Sequence, residues 1–231
     1  MWIESLNTVM DDNKVLTLVS QERIPLTPEM RLIIEVSHLK NATPATVSRG
    51  GVLFVNETDV GWKPYIDTWM NSYKNVKKDE VAVTTFTLCL ATYCNEQFMD
   101  ANAQRETIAP ICLMGNMQSL TNIIDYQYDQ LSENKEMSDY IKSIRDNEDY
   151  AEKQKQIYEG FFCFAFMWAF GGILTDDKIS FSASLKGTSK IKFPEVTGTQ
   201  VFDFYFNPIT QTFESWRDIV KPYDSEYEGL F

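Results

Sequence analysis

Apolar and polar positions follow two different rhythms near the N-terminus. In residues 1–12 the apolar side chains lie three or four positions apart, which predicts a short helix that ends near Asn13. Two apolar stretches, 15–19 and 24–26, then flank four polar residues and predict a β-hairpin. Because Pro25 has no N–H group, the second strand should form the edge of its sheet.

Two apolar runs follow the hairpin and lack its alternation. The centres of residues 31–36 and 52–55 are continuously apolar, which is typical of strands buried on both faces. Between them, Thr43 can cap a short helix whose first residue is Pro44. A strand, a helix and a second strand in this order form the unit of a parallel sheet covered by helices. This part of the chain is therefore predicted to be α/β.

The remainder of the chain is predicted to be helical first and β near its end. Helical spacing recurs in three stretches, namely residues 80–104, 111–131 and 149–174. The last stretch is rich in phenylalanine, which indicates a core helix, and it should stop at Gly171 and Gly172. From residue 191 the spacing returns to two, and the turn-forming residues 207–211 predict a second hairpin.

The composition fits a folded globular chain and excludes two classes of function. Of the 231 residues, 44% are hydrophobic and 23% are charged, and the net charge is −12. Nucleic-acid phosphates are bound by clustered Lys and Arg, so we expect no nucleic-acid partner. The longest apolar run, residues 161–170, is about half of the ~20 residues that a membrane-spanning helix requires, and no signal peptide is recognisable. We therefore expect an intracellular protein without a membrane partner.

Two sets of side chains could in principle bind a metal ion. The chain has four cysteines and no C-x-x-C pair: Cys89, Cys94, Cys112 and Cys163. A zinc site would need a fourth ligand and shorter spacings, so we predict reduced, buried thiols packed between helices. Glu4, Asp11 and Asp12 could hold Mg²⁺, but their helical setting favours a helix end followed by a turn. No metal site is therefore predicted.

Several stretches of the sequence resemble dynein heavy chains. They read WIESLNTVMDDNK at residues 2–14, ERIPL at 22–26 and ATPATVSR at 42–49. Within that family these stretches are similar to the second AAA+ module of the six-module motor ring. They resemble the sequence of that module in axonemal heavy chains, particularly those of the outer arm. FAFMWAFGG at 164–172 and VFDFY at 201–205 resemble the stretch that leads toward the third module.

The resemblance implies an α/β fold class and three segments. A partial AAA+ large subdomain, a parallel sheet with helices, would occupy residues 1–65. A helical AAA+ lid or small subdomain would occupy 66–175, and a connector with a β-hairpin toward the next module would occupy 176–231. The sequence departs from the family at residues 181–187, where it reads FSASLKG and the family usually has paired tryptophans.

The resemblance also implies a function for a parent protein. The parent would be an ATP-driven, minus-end-directed microtubule motor of the cilium or flagellum, located in the cytoskeleton of the axoneme. Its partners would be the neighbouring AAA+ modules of the same heavy chain, the microtubule, and dynein intermediate and light chains. The chain itself would supply an arginine between modules and mechanical coupling.

The sequence contains no match to the phosphate-binding pattern G-x-x-x-x-G-K-[ST], so the chain has no P-loop. That loop supplies the backbone N–H groups, the lysine and the Mg²⁺-holding hydroxyl that bind a nucleotide. We therefore expect ATP and Mg²⁺ in the parent ring, and no cofactor or ATPase activity for this chain alone. Because the family places the P-loop before the first matching stretch, the resemblance implies a fragment that begins inside a module.

Arg49 is the leading candidate for a functional residue, because it ends the predicted helix just before an apolar run. The resemblance implies an arginine finger that reaches the γ-phosphate held by the preceding module, where such a group can raise the rate by ~10³–10⁵. The alternative is an arginine that pairs with a carboxylate at an interface and has no catalytic role. Ser37 and Asn41 follow the first apolar run and are sensor-like candidates for cofactor binding. His38 has no Cys or Ser nucleophile nearby in the sequence and is not expected to be catalytic.

A second hypothesis, from another class, needs no motor. The chain could be a non-catalytic α/β and helical scaffold or interaction protein without nucleotide chemistry. The two hypotheses differ in what the gene encodes before residue 1: a P-loop in the same reading frame would favour the motor.

Overall fold

The structure, a computed structural model, describes residues 6–220. Contacts between residues divide the chain into two compact units, with the division between Asp59 and Val60. We refer to them as the N-terminal unit and the C-terminal unit. The short helix Glu57–Val60 (α3) is the element at which the division falls.

The N-terminal unit holds a hairpin and two further short helices. These elements are α1 (Asn7–Met10), β1 (Val15–Thr17), β2 (Arg23–Pro25) and α2 (Pro44–Arg49). The predicted hairpin is confirmed, because β1 and β2 pair antiparallel with Val15 opposite Pro25. The predicted helix start is confirmed too, since the Thr43 side chain accepts a hydrogen bond from the Thr46 N–H and Pro44 is the first helical residue.

The predicted parallel sheet is wrong for the described residues. Residues 31–36 and 52–55 are irregular rather than β, and their apolar side chains are exposed, with Ile33 at 92% and Phe54 at 82%. A strand in a parallel sheet needs hydrogen-bonding neighbours along its edges and helices on its faces. The hairpin strands pair with each other, and no other strand is present in the described part of this unit. The apolar runs therefore lack the partners that would make them strands.

The predicted N-terminal helix ends slightly earlier than expected. Within the described residues its α-helical part is Asn7–Met10, and Asp11 ends it. Residues 1–5 of the predicted helix, Glu4 among them, lie outside the described residues.

The C-terminal unit is mainly helical. Its α-helices are α4 (Lys63–Ser72), α5 (Glu80–Tyr93), α6 (Glu96–Ala103), α7 (Leu113–Glu133), α8 (Lys135–Ile144), α9 (Tyr150–Phe166) and α10 (Lys178–Thr188). Two π-helical segments, Tyr73–Lys77 and Met167–Gly171, continue α4 and α9. The single helix predicted over 80–104 is two helices, because Asn95 accepts a hydrogen bond from the Phe98 N–H and starts α6. The short helices α8 and α10 were not predicted.

The core of the C-terminal unit lies where α5 and α7 pack on α9. As predicted, the phenylalanine-rich residues 161–170 form the centre of this core. The largest fully buried side chains of the unit are Tyr73, Phe86, Met117, Leu120, Ile124, Tyr158, Phe161, Phe162, Phe166, Phe170, Phe181 and Phe204. Six rings follow one another with centroids 5.3 to 6.4 Å apart, and we call them the ring row: Trp69, Phe86, Phe162, Phe166, Phe181 and Phe202.

Two glycines permit close contacts with aromatic rings in this core. A Cβ atom added to Gly160 would lie 2.1 Å from Cζ of Phe206, and one added to Gly171 would lie 2.4 Å from Cε1 of Phe181. The helical run ends at Gly171, so the predicted glycine stop is confirmed. Its reason differs from the expected left-handed cap, because Gly172 keeps right-handed φ and ψ angles.

The predicted C-terminal hairpin is confirmed. Strands β3 (Phe204–Asn207) and β4 (Thr212–Ser215) pair antiparallel, between the 3-10 turns Val201–Asp203 and Trp216–Asp218. The stretch FSASLKG, which departs from the family pattern, lies in α10, where Phe181 and Leu185 are fully buried. Both α10 and the hairpin therefore belong to the same packed core as the helices before them.

Candidate functional site

Two polar pairs join α1 to α2 in the N-terminal unit. The Thr46 hydroxyl donates a hydrogen bond to Oδ1 of Asn7 over 3.0 Å, and Thr46 is buried. One turn further along each helix, Nε of Arg49 donates to Oδ1 of Asp11 in an ion pair. Asn7 and Asp11 are four residues apart and Thr46 and Arg49 three apart, so both pairs lie on facing sides of the two helices.

The Arg49 guanidinium has a second anchor on its own helix. Its Nη1 donates to the carbonyl oxygen of Ala45 over 2.8 Å, and Arg49 is the last residue of α2, where a positive charge is favoured by the helix dipole. About a third of each partner's side chain is exposed, 33% for Arg49 and 34% for Asp11. Arg49 is thus paired with a carboxylate, as the non-catalytic alternative requires, and also remains accessible, as a finger requires.

The structure does not bring the two sensor-like candidates to Arg49. Ser37 and Asn41 both lie in the irregular segment before α2, and both are exposed. Within residues 6–220 no hydrogen bond or ion pair joins either side chain to Arg49. Glu35 and His38 lie in the same segment and are exposed too.

One of the candidate metal ligands, Asp11, has another role in the described residues. Asp11 pairs with Arg49, and its carbonyl oxygen accepts from the Lys14 N–H where the helix gives way to the hairpin. This agrees with the preferred interpretation of a helix end and a turn. Among residues 6–220 no group of three or more His, Cys, Asp or Glu side chains is placed to hold a metal ion. In the same range no helix is long and apolar enough to cross a membrane.

The four cysteines are free thiols, and three of them are buried. Burial raises the pKa of Cys94 to about 12 and that of Cys163 to about 11, which keeps both thiols protonated and unreactive. Cys112 is exposed at the start of α7, so the prediction of buried thiols is wrong for this residue.

A lysine held by two aromatic rings was missed by sequence reasoning. Nζ of Lys77 lies 4.2 Å from the ring centroids of both Tyr73 and Tyr128. The same atom lies 3.3 Å from Oδ1 of Asp125 and 3.6 Å from Oδ1 of Asp129. The signal available in the sequence was the pair of aspartates four residues apart on α7, which puts them on one helix face with Tyr128 between them.

The carboxylates of Asp125 and Asp79 accept hydrogen bonds from the buried tyrosine hydroxyl groups near this lysine. Asp125 accepts from the Tyr73 hydroxyl over 2.7 Å, and Asp79 accepts from the Tyr158 hydroxyl over 2.6 Å. Asp79 also caps α5 by accepting from the Ala82 N–H over 2.9 Å. Burial, and then the hydrogen bonds to these carboxylates, raise the pKa of Tyr73 and Tyr158 above their ordinary value, so both hydroxyls remain donors. Donors on α5, α7 and α9 and in the π-helical segment thus meet at these carboxylates, and the network links these elements.

One further carboxylate organises the C-terminal hairpin. Glu214 accepts from the hydroxyls of Thr210 over 2.6 Å and Tyr205 over 2.7 Å, and from the amide of Asn207 over 3.0 Å. The hydrogen bond from Thr210, followed by the one from Asn207, lowers the pKa of Glu214 below its ordinary range. These bonds tie the turn to both strands.

Residues 86–218 match the family model described as the dynein heavy chain AAA lid domain. The chain is 37% identical over 237 residues to dynein axonemal heavy chain 9 of Homo sapiens, and 38% identical over 234 residues to the ciliary dynein beta chain of Heliocidaris crassispina. It is 34% identical over 243 residues to the flagellar outer-arm dynein beta chain of Chlamydomonas reinhardtii.

These matches cover the chain almost completely and the relatives only slightly. They include 99% of the chain for the Homo sapiens and Heliocidaris crassispina proteins and 100% for the Chlamydomonas reinhardtii protein, but 5% of the length of each relative. The chain therefore corresponds to about one-twentieth of the length of the relatives it matches.

Proposed function

The chain belongs to the dynein heavy-chain family, and from this premise we propose that it serves in an ATP-driven microtubule motor of cilia or flagella. The observation that carries the proposal is the family match over residues 86–218, together with 34–38% identity along nearly the whole chain to axonemal, ciliary and flagellar heavy chains. The names of these relatives also support a location in the axoneme. The minus-end direction and the intermediate-chain and light-chain partners are proposed on the same family membership.

We assign the segments as the resemblance implies. Residues 1–65 would be part of an AAA+ large subdomain of the second module, 66–175 its helical lid, and 176–231 a connector toward the third module. The division of the chain between Asp59 and Val60 supports the first boundary. The lid-domain model also matches residues 176–218, and α10 and the hairpin pack into the helical core, so this part of the connector would be continuous with the lid.

Arg49 would act as the arginine finger of the parent ring. In this proposal the preceding module holds ATP and Mg²⁺, and the Arg49 guanidinium stabilises the charge that develops on the γ-phosphate. Its place at the end of α2, its accessible side chain and its two anchors support the role. Ser37 and Asn41 would approach the nucleotide as sensors, which their exposure in the segment before α2 permits.

The first experiment tests the role of Arg49 in the full-length heavy chain. Arg49→Ala should lower the microtubule-stimulated kcat of ATP hydrolysis by on the order of 10³-fold or more, whereas Arg49→Lys should retain part of the activity. Arg23→Ala is the matched control, because Arg23 is an exposed arginine on β2 of the same unit. An unchanged kcat in Arg49→Ala would refute the finger role.

A second experiment tests whether the chain serves in a motor at all. Antibodies against residues 6–220 should detect, in salt extracts of axonemes, a polypeptide about twenty times as long as the chain, since the chain covers 5% of its relatives. Detection only of a protein of the chain's own size, outside the axoneme, would favour the scaffold hypothesis.

A further inference from the structure

We propose that Asp11 is a positioning residue for Arg49, an inference that rests on the proposed function of Arg49. Asp11 directly follows the last residue of α1, and it reaches the guanidinium of a residue 38 positions away in the sequence. Its carboxylate would hold the guanidinium in the orientation from which it meets the γ-phosphate of the preceding module.

The hydrogen bonds of the guanidinium fix two of its three nitrogen atoms. Nε is held by the Asp11 carboxylate and Nη1 by the Ala45 carbonyl oxygen, so a planar group is anchored from two directions. Among residues 6–220, Nη2 has no hydrogen-bond partner. The two anchors therefore leave one amino group available for a phosphate oxygen, with which arginine forms strong charge-assisted hydrogen bonds.

The helix α1, which Asp11 directly follows, is itself fixed to α2. The buried hydroxyl of Thr46 donates to Asn7 over 3.0 Å and lies 2.9 Å from the hydroxyl of Thr43, the residue that caps α2. A carboxylate on a freely moving segment could neutralise Arg49 but could not orient it. Because Asn7 and Asp11 belong to the same short segment, the contact at Thr46 sets the position from which Asp11 holds Arg49.

Two opposite effects of Asp11 on catalysis can be separated. A carboxylate beside Arg49 weakens the field of the guanidinium at the phosphate, but about a third of the pair is exposed and water screens this effect. Orientation matters more, because donors already in place need no reorganisation during the reaction, and a displacement of about 1 Å can lower a rate by ~10²-fold. Loss of Asp11 should therefore slow hydrolysis rather than accelerate it.

The test compares four variants of the full-length heavy chain in microtubule-stimulated ATPase assays. Asp11→Asn should lower kcat by about 10²-fold without a change in the KM for ATP, because the nucleotide is bound by the preceding module. Asp11→Glu keeps the negative charge but places it on a side chain one methylene longer, and it should lower kcat several-fold. Asp12→Asn removes the same charge from the next residue and should behave like the wild type. Asp11→Asn in the Arg49→Ala background should have no additional effect, because the group that it positions is gone.

The outcomes separate this inference from the function on which it rests. An unchanged kcat in Arg49→Ala refutes the finger role and the positioning role together. A loss of activity in Arg49→Ala, combined with unchanged or faster hydrolysis in Asp11→Asn, overturns only the positioning role. An equal loss in the presence and absence of Arg49 would show a general structural defect and would also overturn it. If the Asp11→Asn heavy chain does not assemble, Asp11→Glu decides: a lower kcat at unchanged KM supports the proposal, and a wild-type kcat overturns it.

Discussion

The contact between Gly160 and Phe206 gives the sharpest stability prediction. A Cβ atom at Gly160 would lie 2.1 Å from Cζ of Phe206 and 2.3 Å from both Cε atoms, so the methyl group would press on the face of the ring near its Cζ end. Carbon atoms pack at ~3.5–4.0 Å, so the ring would have to retreat by more than about 1 Å. Phe206 is 4% exposed and contacts the rings of Phe161 and Phe213, which block that movement.

Two terms decide the result of Gly160→Ala. Alanine in a helix interior gains ~1 kcal/mol over glycine, whereas overpacking a well-filled core costs ~1–3 kcal/mol. The clash here involves the rigid end of an aromatic ring, so we place its cost near the upper limit of that range. The free energy of unfolding should therefore fall by about 2 kcal/mol, the difference between the two terms.

Urea unfolding of the chain, followed by circular dichroism at helical wavelengths, measures the effect. Gly187→Ala is the matched control, because Gly187 lies in α10 and a Cβ atom added there meets nothing within 4 Å. It should raise the free energy of unfolding by ~0.5–1 kcal/mol. Adding Phe206→Leu to Gly160→Ala should recover part of the loss, because the smaller side chain vacates the contact. A Gly160→Ala protein as stable as the wild type would refute the reasoning.

Three further predictions concern charged and thiol groups. The pKa of Glu214 is lowered in the folded state, so the carboxylate stabilises the fold above the ordinary value of 4.5, and this stabilisation is lost as the pH falls through the lower folded-state value. In Glu214→Gln the free energy of unfolding should therefore fall less steeply with decreasing pH, as urea unfolding at successive pH values would show. Lys77→Ala should lower the free energy of unfolding by ~1–2 kcal/mol, mainly because the two ring contacts are lost. Lys74 is exposed, so Lys74→Ala should change the free energy of unfolding by less than ~0.5 kcal/mol. Equal effects of the two substitutions in urea unfolding would contradict this prediction. Iodoacetamide should modify Cys112 first and leave Cys163 unmodified in the folded chain, as mass spectrometry of peptides would show; simultaneous labelling would mean that the core opens.

Local signals in the sequence predicted the elements whose causes are local. The cap at Thr43, the hairpin around Pro25 and the hairpin around residues 207–211 depend on neighbours only a few positions away. The burial of the phenylalanine-rich part of α9 could also be predicted, because a helix with apolar residues on nearly every side must be buried.

The parts that failed depend on distant neighbours or on competition between similar patterns. Residues 31–36 have the composition of a strand, but a strand requires partners, and the described part of the N-terminal unit offers none. The break at Asn95 was missed because helical spacing continues across it, while the capping side chain decides the outcome. The α10 helix was not predicted, because the apolar residues between 178 and 188 do not follow a clear helical spacing.

The candidate site was predicted in part, for the same reason. The ATPATVSR stretch singled out Arg49, but spacing could not show that Asp11 would be its partner, since the two residues are far apart in the chain. Of the two rings around Lys77, Tyr73 lies four residues before it in the same π-helical segment, whereas Tyr128 comes from α7, and no local pattern unites these two parts of the chain.

The ring row has a consequence for how the C-terminal unit responds to force. Rings in direct contact extend from Trp69 in α4 to Phe202, just before the hairpin, without an intervening flexible side chain. Densely packed interiors compress very little, so strain applied at one end is passed along rather than absorbed. The unit should therefore deform elastically as one stiff body, and a pull on α4 should shift the hairpin before it loosens any single helix.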